Sequence, residues 1–249
     1  MLRPLLTSCL DRLNGDNNDN MATNGEFALL QSYLRPGMAL FDVGANLGEW
    51  TAQALRIQQS LRIYAFEPVP HIFDALQQRF EGDERLVSIN MALADRAGRT
   101  EIYIDHDFSG SNSLFQRNIF SEFRKETVTL TTGDAFVAEN GLGKIHFLKV
   151  DVEGAELKVL QGFRKAFEEG RIELCQLEYG GGYIDARAFL RDVFIFANEL
   201  GYKVAKLLPR GLRIIESYDQ TLESFKYANY LLYRDANLLP PGLALEKGK

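Results

Sequence analysis

The chain has 249 residues, of which 46% are hydrophobic and 25% are charged, enough to bury the core of a single α/β domain. Its 28 lysines and arginines and 34 acidic residues give a net charge of -6, so nucleic acid is not expected as a partner. The two cysteines, Cys9 and Cys175, argue against a disulfide framework and favour a reducing, cytoplasmic setting. No apolar run reaches the roughly 18 residues that a transmembrane segment needs.

Strand patterns and helical patterns alternate along most of the chain after a polar loop at 14–20. This order predicts a doubly wound α/β fold, with a mostly parallel sheet, right-handed crossovers and helices on both faces. Ligands of such folds bind at the carboxyl ends of the strands. Strands are predicted at 38–44, 61–68, 85–93, 145–151, 172–181, 202–209 and 227–234, and helices at 26–35, 46–57, 71–80, 155–170 and 186–201.

The alternation is interrupted between about 95 and 133. Residues 99–105 and 128–132 have the pattern of partly exposed extended segments, and the polar stretch FSGSNSL lies between them. An insertion of this kind often acts as a lid over a site. We predict one domain at 26–234 that contains this insertion, an N-terminal extension at 1–25 and a C-terminal tail at 235–249. The sequence does not indicate an oligomeric state.

Acidic side chains stand at the ends of the predicted strands, where they would repel a pyrophosphate and attract a sulfonium or amino group. S-adenosylmethionine (SAM) carries both of these cations and no phosphate. A dinucleotide fingerprint needs glycines where the chain has Asn46 and Glu49, so an NAD-type oxidoreductase is the weaker alternative. The acids are Asp42, Glu67, Asp151 and Glu153.

Four stretches, FDVGANLGEWT, AFEPVP, FLKVDVEGAELKVLQG and LEYGG, resemble in sequence and in order the FkbM family of SAM-dependent methyltransferases. The resemblance covers roughly residues 26–200. It implies a Rossmann-like class I methyltransferase fold, whose seven-stranded, mostly parallel sheet has an antiparallel last strand. It also implies SAM as cofactor and O-methylation of a sugar, glycolipid or polyketide. A SAM-binding module without catalytic activity is a further alternative.

The resemblance also implies roles for residues of the cofactor site. Glu67 would hold the ribose of SAM, a role that its position at the end of the second strand independently favours. Ala92 would lie beside the adenine. The residues that would line the methionine end of SAM are Asp42, Gly44, Asn46 and Gly48.

An alcohol must lose its proton when it accepts a methyl group, and a positioned general base assists that step. Asp151, Glu153 and Glu178 are the catalytic candidates, because the strands that carry them should be neighbours. The three acids could instead hold a divalent metal such as magnesium, although no geometry for a metal site follows from the sequence. Glu153 and Glu156 also suit the first turn of a helix, where acids stabilise the helix dipole.

The insertion offers three side chains that could contact a small-molecule or glycan acceptor. His106 could reach an acceptor from above, and Asn112 and Ser113 could donate hydrogen bonds to a polyol. Each of the three could equally be a residue of a solvated loop or turn. The identity of the acceptor does not follow from these residues.

Overall fold

A mixed sheet forms the centre of the molecule in the computed structural model, which describes residues 10–11, 13–105, 112–116, 123–240 and 243–247. The strands are β1 (Ala39–Val43), β2 (Arg62–Phe66), β3 (Leu86–Ile89), β4 (Ala92–Leu93), β5 (Gly98–Ile104), β6 (Arg124–Thr131), β7 (Ile145–Val150), β8 (Ile172–Tyr179), β9 (Lys203–Leu208), β10 (Gly211–Ile215), β11 (Ala228–Tyr233) and β12 (Ala244–Lys247). The helices are α1 (Glu26–Tyr33), α2 (Glu49–Ile57), α3 (Pro70–Arg79), α4 (Gly133–Glu139), α5 (Glu156–Gly162), α6 (Arg164–Glu168), α7 (Gly182–Ala186) and α8 (Leu190–Glu199).

The central sheet has the strand order β12-β10-β9-β11-β8-β7-β1-β2-β3. Strands β3, β2, β1, β7 and β8 are parallel, and β11 is inserted antiparallel between β8 and β9. These seven strands confirm the predicted class I arrangement with its antiparallel last strand. Beyond the prediction, β10 and β12 extend the sheet, so part of the predicted C-terminal tail pairs with β10.

Both faces of the sheet are covered, because successive side chains of a strand point to opposite sides. Phe41, Leu148 and Cys175 face one hydrophobic cluster, which helices α5 and α8 complete. Leu40 and Phe147 face the other cluster, to which α1 and α2 contribute. Each fully buried leucine or phenylalanine contributes roughly 1.5–3 kcal/mol, so these clusters supply the main stabilisation of the sheet.

Two predicted elements are divided in the structure. The segment 85–93 forms β3 in the central sheet and β4 in a small sheet of order β4-β6-β5. Asn90 marks the division, since its side chain donates to the carbonyls of Glu67 (3.0 Å) and Pro68 (3.1 Å). The predicted helix at 155–170 is divided into α5 and α6, and the carboxylate of Asp134 accepts from the first free amides of α6.

Helices α4 and α7 and strand β10 were also not predicted. Helix α4 has only seven residues, and its start depends on the Thr132 hydroxyl, which accepts from the amide of Ala135 (3.1 Å). The extended segments predicted in the insertion are confirmed as β5 and β6, which pair antiparallel. They place the insertion over the carboxyl ends of the central strands.

Glu223 anchors the end of β8 from the loop before β11. Its carboxylate accepts from the hydroxyls of Tyr179 (2.9 Å) and Tyr218 (3.0 Å). It also accepts from the amides of Leu190 (3.1 Å) and Arg191 (3.0 Å) at the start of α8. One carboxylate therefore caps a helix and fixes the strand end that carries Glu178.

We predict that Glu223→Ala lowers the free energy of unfolding by about 2 to 4 kcal/mol, because four donors lose a charged acceptor. Urea denaturation followed by circular dichroism measures the change. Glu216→Ala, at an exposed acid of the same loop, should stay within about 0.5 kcal/mol of the unmodified protein. Equal losses in the two variants would contradict the anchoring role of Glu223.

Candidate active site

A pocket opens at the carboxyl ends of β1, β2, β4 and β7, where ligands of doubly wound sheets bind. Its floor and one wall come from the strand ends, and residues of the insertion close the opposite side. The described residues that line it include no lysine, arginine or histidine. They are Val43, Gly44, Asn46, Phe66, Glu67, Pro68, Met91, Ala92, Leu93, Ile102, Asn112, Leu114, Asp151, Val152, Glu153 and Ala155.

The turn between β1 and α2 reaches the pocket with Gly44 and Asn46. Gly44 has a φ of 82°, and a Cβ at this position would lie 1.8 Å from the carbonyl oxygen of Asp151. Only glycine therefore allows the β1 and β7 loops to approach this closely. Gly48 lies outside the lining, at the start of α2, where a Cβ would meet Leu76 and Phe80 at 2.6 Å.

Glu67 stands at the end of β2 with 5% of its surface exposed. One carboxylate oxygen accepts from the amide of Asn46 (3.0 Å) and the other from the amide of Val69 (2.9 Å). Each oxygen can accept a further bond, so the carboxylate can still receive two hydroxyl donors from the pocket. Burial, helped by the charge of Asp42, raises the pKa of Glu67 to about 7 despite these two bonds.

The rest of the lining fits an adenosine without a phosphate. Ala92 lies in the wall with Met91 and Leu93, and Ile102 and Leu114 of the insertion add apolar surface. Such walls suit a flat base, the carboxylate of Glu67 suits a ribose, and the acids repel phosphate. The donor and acceptor chemistry of the described lining therefore fits SAM.

Asp42 lies beneath the pocket and is 0% exposed, so it does not belong to the lining. Its carboxylate accepts from the hydroxyl of Thr51 (2.7 Å) and lies 3.4 Å from the ammonium of Lys149. Lys149 also lies 3.1 Å from Asp151, whose side chain is 32% exposed on the pocket wall. Burial alone would lower the pKa of Lys149, but the carboxylates of Asp151, Asp42 and Glu26 outweigh it and raise the pKa.

The turn after Asp151 is held by two hydrogen-bonding side chains. Glu156 is buried at the start of α5, and its carboxylate accepts from the amides of Val152 (2.9 Å) and Gly154 (3.0 Å). This carboxylate closes the turn, as expected for an acid in the first turn of a helix. The hydroxyl of Ser113 donates to the carbonyl of Glu153 (2.7 Å), and Glu153 itself adopts a left-handed backbone with a φ of 54°. The insertion is thereby fastened to the turn.

Glu178 lies on β8 beside the end of β7, since Val150 and Leu177 are paired in the parallel register. Neighbouring strands are about 4.8 Å apart, so Glu178 and Asp151 point from adjacent strand ends towards the same side of the sheet. Burial raises the pKa of Glu178 well above its ordinary value, and the charges of Asp151, Glu153 and Glu156 add to the effect. Glu178 therefore holds a proton more tightly than an exposed glutamate does.

The structure thus brings Gly44, Asn46, Glu67, Ala92, Asp151, Glu153 and Asn112 to one pocket. Ser113 is buried and contacts the turn of Glu153, while Glu178 lies beside Asp151 outside the lining. His106 lies outside the described residues. In the described part of the chain, no three histidine, cysteine or acidic side chains are arranged to hold a metal ion. None of the helices described is both long enough and apolar enough to cross a membrane.

The sequence analysis did not identify Lys149 and Thr51, which both donate to the carboxylate of Asp42. The available signal was a lysine between Leu148 and Val150 in an otherwise apolar strand, because a buried ammonium needs a partner of opposite charge. It also missed Gln176, whose buried side chain donates to Glu26 (2.8 Å) and to Asn229 (3.1 Å).

Comparisons with known proteins point to one family. A sequence model described as the methyltransferase FkbM domain matches residues 42–204. The hexuronic acid methyltransferase AglP of Haloferax volcanii is 28% identical over 145 residues, 57% of this chain and 56% of AglP. The 2-O-methyltransferase NoeI of Sinorhizobium fredii is 24% identical over 172 residues, 63% of this chain and 71% of NoeI. The chain therefore matches little more than half the length of AglP.

The fold is also shared with a solved structure. The methyltransferase FkbM of Methylobacillus flagellatus superposes with a TM-score of 0.53 and 15% identity, over 93% of this chain and 58% of the other. A likeness at this identity concerns the fold alone.

We predict that the buried acids make the protein less stable as the pH rises. Burial raises the pKa of Glu156 from its ordinary 4.5 to about 8, so the folded state keeps a proton that the unfolded chain releases. This stabilisation is complete below pH 4.5 and is lost as the pH passes about 8, and Glu67 acts in the same direction. Between pH 5 and 8.5 the unfolding free energy should fall by on the order of a few kcal/mol.

Urea denaturation at the two pH values measures this loss. Glu156→Gln cannot ionise, so the variant should lose distinctly less stability over the same interval than the unmodified protein. Glu139→Gln, at an exposed position, should follow the unmodified protein. A pH dependence that is identical in all three proteins would show that Glu156 does not contribute.

Proposed function

Because the chain belongs to the family of the methyltransferase FkbM domain, we propose that it transfers the methyl group of SAM to a hydroxyl group of a sugar, glycolipid or polyketide. One observation carries the proposal. The pocket has apolar walls, a buried acid placed to bind a ribose, and no basic residue in its described lining, and it opens beside a second group of acids. The names of AglP, a hexuronic acid methyltransferase, and NoeI, a 2-O-methyltransferase, concern those proteins and support a sugar-type acceptor here.

In this proposal, SAM supplies a methyl group that its sulfonium already activates, so the residues of the chain have to bind, orient and accept a proton. Glu67 receives the two ribose hydroxyls, and Ala92 lies beside the adenine. The backbone at Gly44 and Asn46 lines the methionine end. Asp42 and Gly48 support this end from beneath, through Thr51 and through the start of α2.

The acceptor hydroxyl would bind between the pocket and the end of β8. Asp151, Glu153 and Glu178 are the acids that can face it, and Asn112 and Ser113 reach the same region from the insertion. His106 remains a proposed acceptor contact. Among the acids, Glu178 is proposed as the general base: burial raises its pKa, so it must first release its own proton, and its ionised form then has a high affinity for the proton of the hydroxyl group.

An NAD-type oxidoreductase is not favoured, because a pyrophosphate would meet Glu67, Asp151 and Glu153 in a described lining without basic groups. We further propose that nucleic acid is not the acceptor, in keeping with the net charge of -6. A cytoplasmic location is also part of the proposal and rests on the low cysteine content.

Calorimetric titration with SAM tests the cofactor assignment. Glu67→Gln should weaken SAM binding 10- to 100-fold, because each hydrogen bond to a charged acceptor contributes about 1.5–3 kcal/mol. Glu81→Gln, at an exposed acid, should bind as the unmodified protein does. Folded protein that binds no SAM would refute the proposal.

The pH dependence of SAM binding gives an independent measurement. Hydroxyl donors favour the ionised carboxylate, so binding should release a proton from Glu67, whose pKa in the free protein is about 7. Affinity should therefore rise from pH 6 to pH 8, and the Glu67→Gln variant should show no such rise. A rise of the same size in the variant would assign the proton to another group.

Methyl transfer itself can be detected by incubating the protein with methyl-labelled SAM and fractionated cell extract, followed by mass spectrometry of the labelled compounds. We expect an O-methylated product. Glu178→Gln should lower the transfer rate by about 100-fold to 10,000-fold, the usual contribution of a general base. SAM binding without transfer in any fraction would favour the alternative of a non-catalytic SAM-binding module.

A further inference from the structure

Lys149 lies in the middle of the sheet with 8% of its side chain exposed. It belongs to β7, between Leu148 and Val150, which are both completely buried. An ammonium group in such a place costs several kcal/mol of desolvation unless opposite charges surround it. An uncharged side chain of similar length would be easier to bury here, so the charge of Lys149 itself is expected to have a role.

The ammonium of Lys149 joins two carboxylates that have different surroundings. Asp42 is fully buried and already accepts from the hydroxyl of Thr51, so its charge is satisfied inside the protein. Asp151 is partly exposed on the pocket wall, and Lys149 contacts its Oδ2 atom at 3.1 Å. The lysine thus connects the interior of β1 with the surface of the pocket.

Acidic groups approach this lysine from every element packed around it. Glu26 lies at the start of α1 and is tied to β8 through Gln176. Glu178 stands on β8, and Glu153 and Glu156 follow Asp151 in the turn before α5. The positive charge of Lys149 acts on the carboxylates of Glu26 and Glu178.

We propose that Lys149 is a positioning residue, which fixes the carboxylate of Asp151 on the pocket wall so that it recognises the positively charged methionine end of SAM. The inference rests on the function proposed above. It separates the roles of the acids: Asp151 is a fixed anion of the cofactor site, and Glu178 is left to accept the proton of the hydroxyl group. Asp151 already accepts a hydrogen bond from the ammonium of Lys149 (3.1 Å), which agrees with its role as a fixed anion.

A double-mutant cycle on SAM affinity tests the proposal, with calorimetry as the measurement. Lys149→Met and Asp151→Asn should each weaken SAM binding by at least 10-fold. The double variant should bind no more weakly than Asp151→Asn alone, because Lys149 acts through Asp151. Losses that multiply in the double variant would mean that Lys149 has only a structural role, and would overturn the proposal.

Lys149→Met removes the counter-ion of the buried Asp42 and is therefore expected to destabilise the fold. The variant Lys149→Met/Asp42→Asn restores the charge balance of the interior, and urea denaturation should show that it regains stability. Its SAM affinity should nevertheless stay at least 10-fold below that of the unmodified protein. Recovery of full affinity together with stability would overturn the positioning role.

Two further results separate this inference from the proposed function. If the unmodified protein binds SAM and the cycle is additive, only the role of Lys149 fails; if it binds no SAM, the proposed function fails as well. Once an acceptor is found by labelling, Asp151→Asn should raise the KM for SAM, whereas Glu178→Gln should lower kcat at nearly unchanged KM. The opposite pattern would contradict the division of roles.

Discussion

The contact between the β1 and β7 loops is the constraint on which the pocket depends. The carbonyl of Asp151 approaches Gly44 so closely that no side chain fits between them. Below this contact, Lys149 joins the carboxylates of Asp42 and Asp151 and so ties the same two strands a second time. Backbone packing and ion pairing thus fix the loop that lines the cofactor pocket relative to the loop that carries the acids.

This arrangement explains why so many acids can share a small volume. Asp42 and Asp151 are paired with Lys149, whereas Glu156 accepts from the amides of Val152 and Gly154 and burial still raises its pKa to about 8. Glu67 receives two amides as well, yet burial still raises its pKa to about 7. The ionised form of Glu178 is the least favoured of these, because burial and the charges of three neighbouring acids raise its pKa well above the ordinary value. A site with acids in such different surroundings can bind a cation and accept a proton at the same pH.

Much of the fold follows from the sequence because strand and helix periodicities are strong in a doubly wound sheet. The seven strands were predicted because apolar runs and helical spacing alternate outside the insertion, and the antiparallel last strand was expected from the resemblance to the FkbM family. The missed elements depend on tertiary contacts. The division of 85–93 depends on Asn90, which bonds to carbonyls 22 and 23 residues away, and α4 is too short to show a periodicity.

The site was predictable to a similar degree. Acids at strand ends are visible in the sequence, so Glu67, Asp151 and Glu178 could be named in advance. That Asp42 lies beneath the pocket and not in its wall could not be predicted, because strand position gives the direction of a side chain but not the depth of the cavity. Lys149 was missed because a lysine is usually exposed, and only the pairing of β1 with β7 places it opposite Asp42.

The hydrogen bond from Ser113 to the carbonyl of Glu153 has a consequence for how such a protein can diversify. The insertion is the segment best placed to contact an acceptor, yet it is attached to the turn that follows Asp151. A new insertion sequence would therefore alter the shape of that turn unless it kept a hydroxyl at this point. If the insertion contacts the acceptor as proposed, substitutions that keep Ser113 can change the acceptor contacts and leave the turn after Asp151 in place.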